Sequence, residues 1–266
     1  MSRLKKWSLI AIIFITIGGV GCLFTFKSLA RQEVAVTKEV SADEVTNLEF
    51  ELVNEEVTIV PTEKSDITIE LKGRSNRPDK EILDIEQQDE TLIVRKKPEK
   101  FRLHFFNRGD SLTLIVRLPQ KEFASMEVDS KNGGIYGEQF SVKTMHASAA
   151  NGKIELDQVK TTTTEVNTHN GGLELNHVEG RLIGKTSNGS IVLKTDELNQ
   201  SMDLNTKNGS IDINANKEPT NVTYDLRTDN GGIEVFGNDD WDTVVGDGTH
   251  IIKAVTANGS IAITKQ

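Results

Sequence analysis

Four carboxylates share one register of a repeat: Glu155, Glu174, Asp212 and Glu234 each stand four residues after the Asn of an Asn-Gly pair. If the copies stack at the strand spacing of about 4.8 Å, these side chains form a ladder. Two chemistries would use it. Carboxyl groups about 5 Å apart have the separation of a retaining glycosidase, with one as nucleophile and the other as acid. A longer row of hard oxygens would bind divalent cations and bridge them to anionic envelope polymers. The plain alternative is a solvated, charged face.

A second acidic group falls in residues 237–248, where Asp239, Asp240, Asp242 and Asp247 cluster around Trp241. They are weak candidates for a Ca2+ loop, because a hard cation needs several oxygens on one flexible segment. Otherwise the stretch is an exposed loop pinned by Trp241. No nucleophile elbow, P-loop or zinc motif accompanies either group. Two Trp and two Tyr leave few aromatics for stacking on sugars. No catalytic or cofactor-binding residue is therefore assigned, and the protein is expected not to be an enzyme. Arg108-Gly109-Asp110 spells the integrin tripeptide, a match short enough to arise by chance. Phe101, Leu103 and Phe105 alternate beside His104 and Phe106, as strand core or as a partly exposed patch.

The elements that would position these groups follow from the repeat. Asn-Gly pairs begin at Asn132, Asn151, Asn170, Asn188, Asn208, Asn230 and Asn258, at steps of 19, 19, 18, 20, 22 and 28 residues. An aliphatic residue stands three after each Asn, from Ile135 to Ile261, and a small residue two before it, from Ser130 to Thr256. Five after it the residue is apolar, except at Gly137. Polar residues mostly fill the positions between, which is the period of two of a half-buried strand. Each unit reads as strand, Asn-Gly turn, strand and a variable second turn.

Matched side chains at equal spacing are required by a coil stacked on copies of itself, so the favoured fold is all-β, a parallel β-helix-like solenoid. Seven coils over residues 121–266 would make a rod of about 34 Å. The alternative is an antiparallel sandwich in which each Asn-Gly closes a hairpin. On the solenoid reading Gly189 or Gly209 is expected at positive φ, and the 237–248 loop is expected to cover the C-terminal end of the stack.

Residues 45–120 are β-rich without the Asn-Gly signature, with strand candidates at 48–53, 56–60, 66–72, 91–96 and 112–118. They read as an N-terminal cap or irregular first coils, preceded by a linker at 27–44. Residues 7–26 carry no charge, enough for one transmembrane helix, and Arg3, Lys5 and Lys6 make residues 1–6 a cytoplasmic head. Cleavage after Ala30 and a faint lipoprotein-like box at Cys22 are competing fates of this segment. Cys22 is the only cysteine, so residues 27–266 contain neither a free thiol nor a disulfide. The net charge of −9 becomes −12 without residues 1–6, which hold three cations and no acid. Nucleic acid is thereby disfavoured as a partner.

The basic head, the single apolar span, the β-rich stretch ending in Leu112-Thr-Leu-Ile-Val-Arg-Leu-Pro119 and the recurring Ser/Thr-x-Asn-Gly-Gly/Ser-Ile motif together resemble one family. It is the putative-adhesin, β-strand-repeat domain family of unknown function from Gram-positive bacteria. It includes LiaG-type membrane-anchored proteins encoded beside an envelope-stress two-component system. The resemblance implies an anchored, outward-facing interaction module at the cell membrane. Its partner would be a cell-envelope component or an envelope-stress membrane protein. No catalytic residue can be carried over. The competing expectation is a β-helix that binds or cleaves polysaccharide.

Overall fold

A computed structural model describes residues 14–15, 32–75, 83–97 and 111–265. The apolar span 7–26 lies outside the described residues save for residues 14–15, which are helical. The Arg108–Asp110 tripeptide and the 101–106 aromatic group both lie outside them. Among the described residues no helix is long and apolar enough to cross a membrane.

Alternating apolar residues produce strands throughout. Before the repeats come β1 (Gln32–Ser41), β2 (Asn47–Glu51), β3 (Glu56–Thr62), β4 (Asp66–Ser75), β5 (Leu83–Gln88), β6 (Thr91–Lys96) and β7 (Ser111–Pro119). The first repeats supply β8 (Glu122–Ser130), β9 (Ile135–Glu138), β10 (Ser141–Ala149), β11 (Ile154–Asp157), β12 (Thr163–Thr168) and β13 (Leu173–Asn176). Next come β14 (Arg181–Asn188), β15 (Ile191–Thr195), β16 (Met202–Asn208) and β17 (Ile211–Ala215). The chain closes with β18 (Val222–Asn230), β19 (Ile233–Val235), β20 (Val244–Val245), β21 (His250–Asn258) and β22 (Ile261–Lys265). Residues 32–41, expected as linker, are thus strand β1, an edge strand antiparallel to β4.

The strands form two 11-stranded sheets. The strand before each Asn-Gly lies in one sheet and the strand after it in the other. Equivalent strands of neighbouring units pair in parallel and in register, as in Met126↔Met145↔Thr164↔Leu182↔Met202. This is the coiling of a β-solenoid. A hairpin sandwich would pair the two strands of one unit, and here they occupy different sheets. The inward side chains stack as ladders: Ile191 pairs with Ile211, and Ile211 with Ile261, all of them buried. Gly137, the gap in the apolar register, is filled by the Phe140 ring, which would lie 2.8 Å from a Cβ placed there.

The order of coils is not the order of the chain. Beyond β16/β17 the next coil in space is β21/β22, and β18/β19 lies outside it. The last repeat in sequence is therefore inserted between the fifth and sixth. The opposite end is built alike. There β6/β7 packs outside β2/β3 and inside the antiparallel strands β4 and β5. Residues 45–120 thus hold two irregular first coils plus a sealing layer, which with the seven Asn-Gly coils gives the rod nine parallel coils among the described residues. At about 4.8 Å per coil it is about 43 Å long.

Candidate functional site

The repeat builds one continuous corner from the Asn-Gly turns. Asn132 Nδ2 donates to Asn54 Oδ1 at 2.6 Å, Asn151 to Asn132 at 2.8 Å and Asn170 to Asn151 at 2.7 Å. Asn188 donates to Asn170 and Asn208 to Asn188, each at 2.8 Å. The row ends with Asn258 on Asn208 at 2.9 Å and Asn230 on Asn258 at 3.0 Å. Eight exposed side chains form this amide ladder, and Asn54 extends it into a coil without an Asn-Gly pair.

The small residue two before each Asn now has a reason. Thr186 and Thr206 donate their hydroxyls to the Gly171 and Gly189 carbonyls of the preceding coil, both at 2.8 Å. Thr256 and Thr228 make the same bond to Gly209 and Gly259. A buried hydroxyl is thereby satisfied, and a turn carbonyl with it. The glycines serve a different purpose from the one expected. Gly189 and Gly209 are not at positive φ. A Cβ on Gly209 would stand 2.1 Å from the Gly189 carbonyl oxygen, and one on Gly189 2.1 Å from that of Gly171. The turns stack backbone on backbone, and any side chain would separate them.

Glu55 occupies the glycine position of the β2/β3 coil. Its fully buried carboxylate pairs with Lys96, and its Oε2 accepts the Val53 and Asn54 amides at 3.1 Å each. Burial acts to raise this carboxyl's pKa. The Lys96 hydrogen bond and charge and the two amides outweigh it and hold the group below the usual carboxylate range.

Beside the corner lies a groove of about 610 Å3 crossing four coils. Its floor is Ala149 and Ala150, where the adjoining coils carry Ser130 and Lys131 on one side and Thr168 and His169 on the other. Lys131 and His169 flank Ala150 along the corner. Asp129, Ser148 and Asn167 face outward in a lateral row beside it, continued by Glu51. Among the described residues Asp129, Lys131 and His169 form no ion pair, so the Asp129 and Lys131 charges and the His169 ring face solvent. The signal in the sequence was Ala149, the one non-hydroxyl member of its register, which was grouped there with the other small residues.

The carboxylate row is broken twice, once by the register residue of the next repeat and once by the inserted coil. Glu155 and Glu174 are lateral neighbours, but Val192 separates Glu174 from Asp212, and Ala262 separates Asp212 from Glu234. Lys153 binds Glu155 at 2.8 Å and Glu174 at 2.5 Å, and its hydrogen bond keeps the Glu174 carboxyl below the usual range. Burial pushes the Asp212 carboxyl up. Asp239, Asp240, Asp242 and Asp247 are exposed around β20. Among the described residues no three His, Cys, Asp or Glu side chains are gathered where they could hold a metal. The loop does cover an end of the stack, since β20 pairs antiparallel with β18 and Trp241 packs on the core. The coil it covers is β18/β19, not the last in sequence.

A family model described as Toastrack DUF4097 matches residues 45–138 and again residues 126–264. No curated protein matches the chain. Among solved structures, the chain is similar to a putative adhesin from Bacteroides fragilis at 13% identity and a TM-score of 0.44, covering 87% of this chain and 97% of that one. It is similar to a putative adhesin from Parabacteroides merdae at 16% identity and a TM-score of 0.45, over 87% and 97% of the two chains. A putative cell adhesion protein from Clostridium sporogenes shares 11% identity at a TM-score of 0.39, over 88% and 100%.

Proposed function

The chain belongs to the Toastrack DUF4097 family, and from that premise we propose that it is a non-enzymatic, adhesin-like interaction module. It binds a polar component of the cell envelope, or an envelope-stress membrane protein, along the rod. The observation that carries this reading is the groove over Ala149 and Ala150, lined by solvent-facing groups of both signs on a rigid repeat surface. Such a surface suits an extended polar ligand that hydrogen-bonds to several coils at once. The charge-free segment 7–26 anchors the module in the membrane with residues 1–6 inside and residues 27–266 outside.

The glycosidase reading fares worse on its own chemistry. A general acid needs a raised pKa, whereas Lys153 holds the Glu174 carboxyl low and ties up both members of the pair.

Two measurements test the proposal. The purified protein should sediment with isolated envelope material, and Ala150→Arg, which fills the groove without touching the core, should weaken that binding at least about tenfold. Undiminished binding by a normally folded Ala150→Arg protein would remove the groove from the account. Protease added to intact protoplasts should digest the repeat domain and leave a short N-terminal stub. Full protection would overturn the topology, and a soluble product starting at Arg31 would replace the anchor with a cleaved signal.

A further inference from the structure

We propose that Asn230 is a site of spontaneous covalent modification, losing its side-chain amide to become aspartate or isoaspartate. The other six Asn-Gly pairs are protected by the ladder.

The reaction needs only the chain and water. The Gly231 backbone nitrogen gives up its proton and attacks Cγ of Asn230. A nitrogen–Cγ bond forms, the Cγ–Nδ2 bond breaks, and ammonia leaves with the proton. The product is a five-membered imide. Water then opens either of its two carbonyl–nitrogen bonds. Opening at Cγ gives aspartate on the ordinary backbone, and opening at the main-chain carbonyl gives an isoaspartyl link. One water enters, one ammonia departs, and a neutral side chain becomes an anion. Glycine favours the step because no side chain obstructs its nitrogen.

The step also requires the Asn side chain to swing toward its own backbone. An interior Asn such as Asn208 would then give up both ladder bonds, one to Asn188 and one from Asn258. Its turn is also pressed between two others, with a Cβ on Gly209 lying 2.1 Å from the Gly189 oxygen and one on Gly259 2.1 Å from the Gly209 oxygen. Asn230 differs on both counts. It donates to Asn258 Oδ1 at 3.0 Å and to the Ala257 carbonyl at 3.4 Å, while no ladder donor reaches its Oδ1 among the described residues. Its turn touches a neighbour on one side only, and a Cβ on the adjoining Gly232 would meet nothing within 4 Å. Coil order and chain order disagree about which pair is terminal. By sequence the end is Asn258, and by structure it is Asn230.

The experiment is a time course of the folded full-length protein at mildly alkaline pH. Peptide mapping by mass spectrometry follows each Asn-Gly, and a denatured sample runs in parallel. Asn230 should convert about tenfold faster than Asn258 or any other pair in the folded protein, reflecting easier local opening at the stack end. In the denatured sample all seven pairs, Asn132 to Asn258, should convert at similar rates. Three outcomes overturn the proposal: Asn258 converting as fast as Asn230, folded and denatured samples giving one pattern, or Asn230 staying intact while the denatured control converts.

Discussion

The middle of the rod and its two ends are made of the same coil but assembled by different rules. From β8 to β17 each unit stacks on the one before it, Asn on Asn, Thr on Gly carbonyl and Ile on Ile. At the ends the coil order departs from the chain order: β21/β22 lies inside the earlier β18/β19, and β2/β3 inside the later β6/β7. Three of the four sheet edges then go to antiparallel strands, β1 outside β4 in one sheet and β5 and β20 in the other, while the fourth edge is β19, parallel to β22. A parallel stack that simply stopped would present a full coil edge to any other chain. Insertion also places the C-terminal strand β22 between β17 and β19, where it cannot fray from an edge. The lesson is that matched side chains extend a solenoid, while its termination needs a change of chain path.

The largest expected effect tests whether a tight turn costs more inside the stack than at its end. Gly209→Val and Gly231→Val introduce similar clashes, with Cβ atoms 2.1 and 2.0 Å from the neighbouring glycine oxygen. The interior turn has a coil on each side, while the end coil can move outward. Gly209→Val should destabilise by about 4 kcal/mol or more and Gly231→Val by about half of that, by denaturant unfolding. Equal losses would mean that the ends are held as rigidly as the middle.

Ile211→Ala should cost about 2–5 kcal/mol, because the buried side chain is stacked between Ile191 and Ile261 and its cavity cannot collapse. Val235→Ala at the outermost coil should cost about 1 kcal/mol in the same assay, since fewer neighbours are lost.

Glu55 and Lys96 lock the N-terminal end of the corner. The folded-state pKa of Glu55 is depressed, so its contribution is present above the unfolded value of about 4.3 and is lost as pH falls through the lower folded value. Glu55→Gln should cost about 3 kcal/mol at neutral pH, as a broken buried pair does, and should flatten the acid limb of the stability profile. An unchanged acid limb would mean that Glu55 is not what the acid disrupts.

The smallest contrast is on the ladder itself. Asn208→Ala removes two exposed side-chain bonds, and Asn230→Ala removes the ladder bond at the stack end. The expected losses are about 1 and about 0.5 kcal/mol. A larger loss at Asn230 would indicate that the end coil depends on its amide more than on its core contacts.

Residue types that recur at one register were readable from the chain, because each coil must satisfy the same packing and the same hydrogen bonds as its neighbours. That is why the all-β solenoid, the buried Ile191 and Ile211 and the turn positions could be placed without coordinates. The register alone did not show what the glycines avoid. The 2.1 Å approach of a Gly209 Cβ to the Gly189 oxygen exists only once two turns are stacked. Nor did the register reveal the groove, since a depression over Ala149 and Ala150 depends on what stands in the coils to either side.

By itself, then, the sequence determined the unit: its strand period, its turn and its inward and outward faces, all of which are set by local chemistry. Only the tertiary structure decided which unit lies beside which. The aliphatic, Thr and Asn registers of β18/β19 and β21/β22 fit the same neighbour, so local matching cannot rank the two orders. The path of the connecting loops and the seal that β20 makes on β18 distinguish them. That choice put Ala262 between Asp212 and Glu234 in the carboxylate row and left Asn230, rather than Asn258, at the end of the ladder.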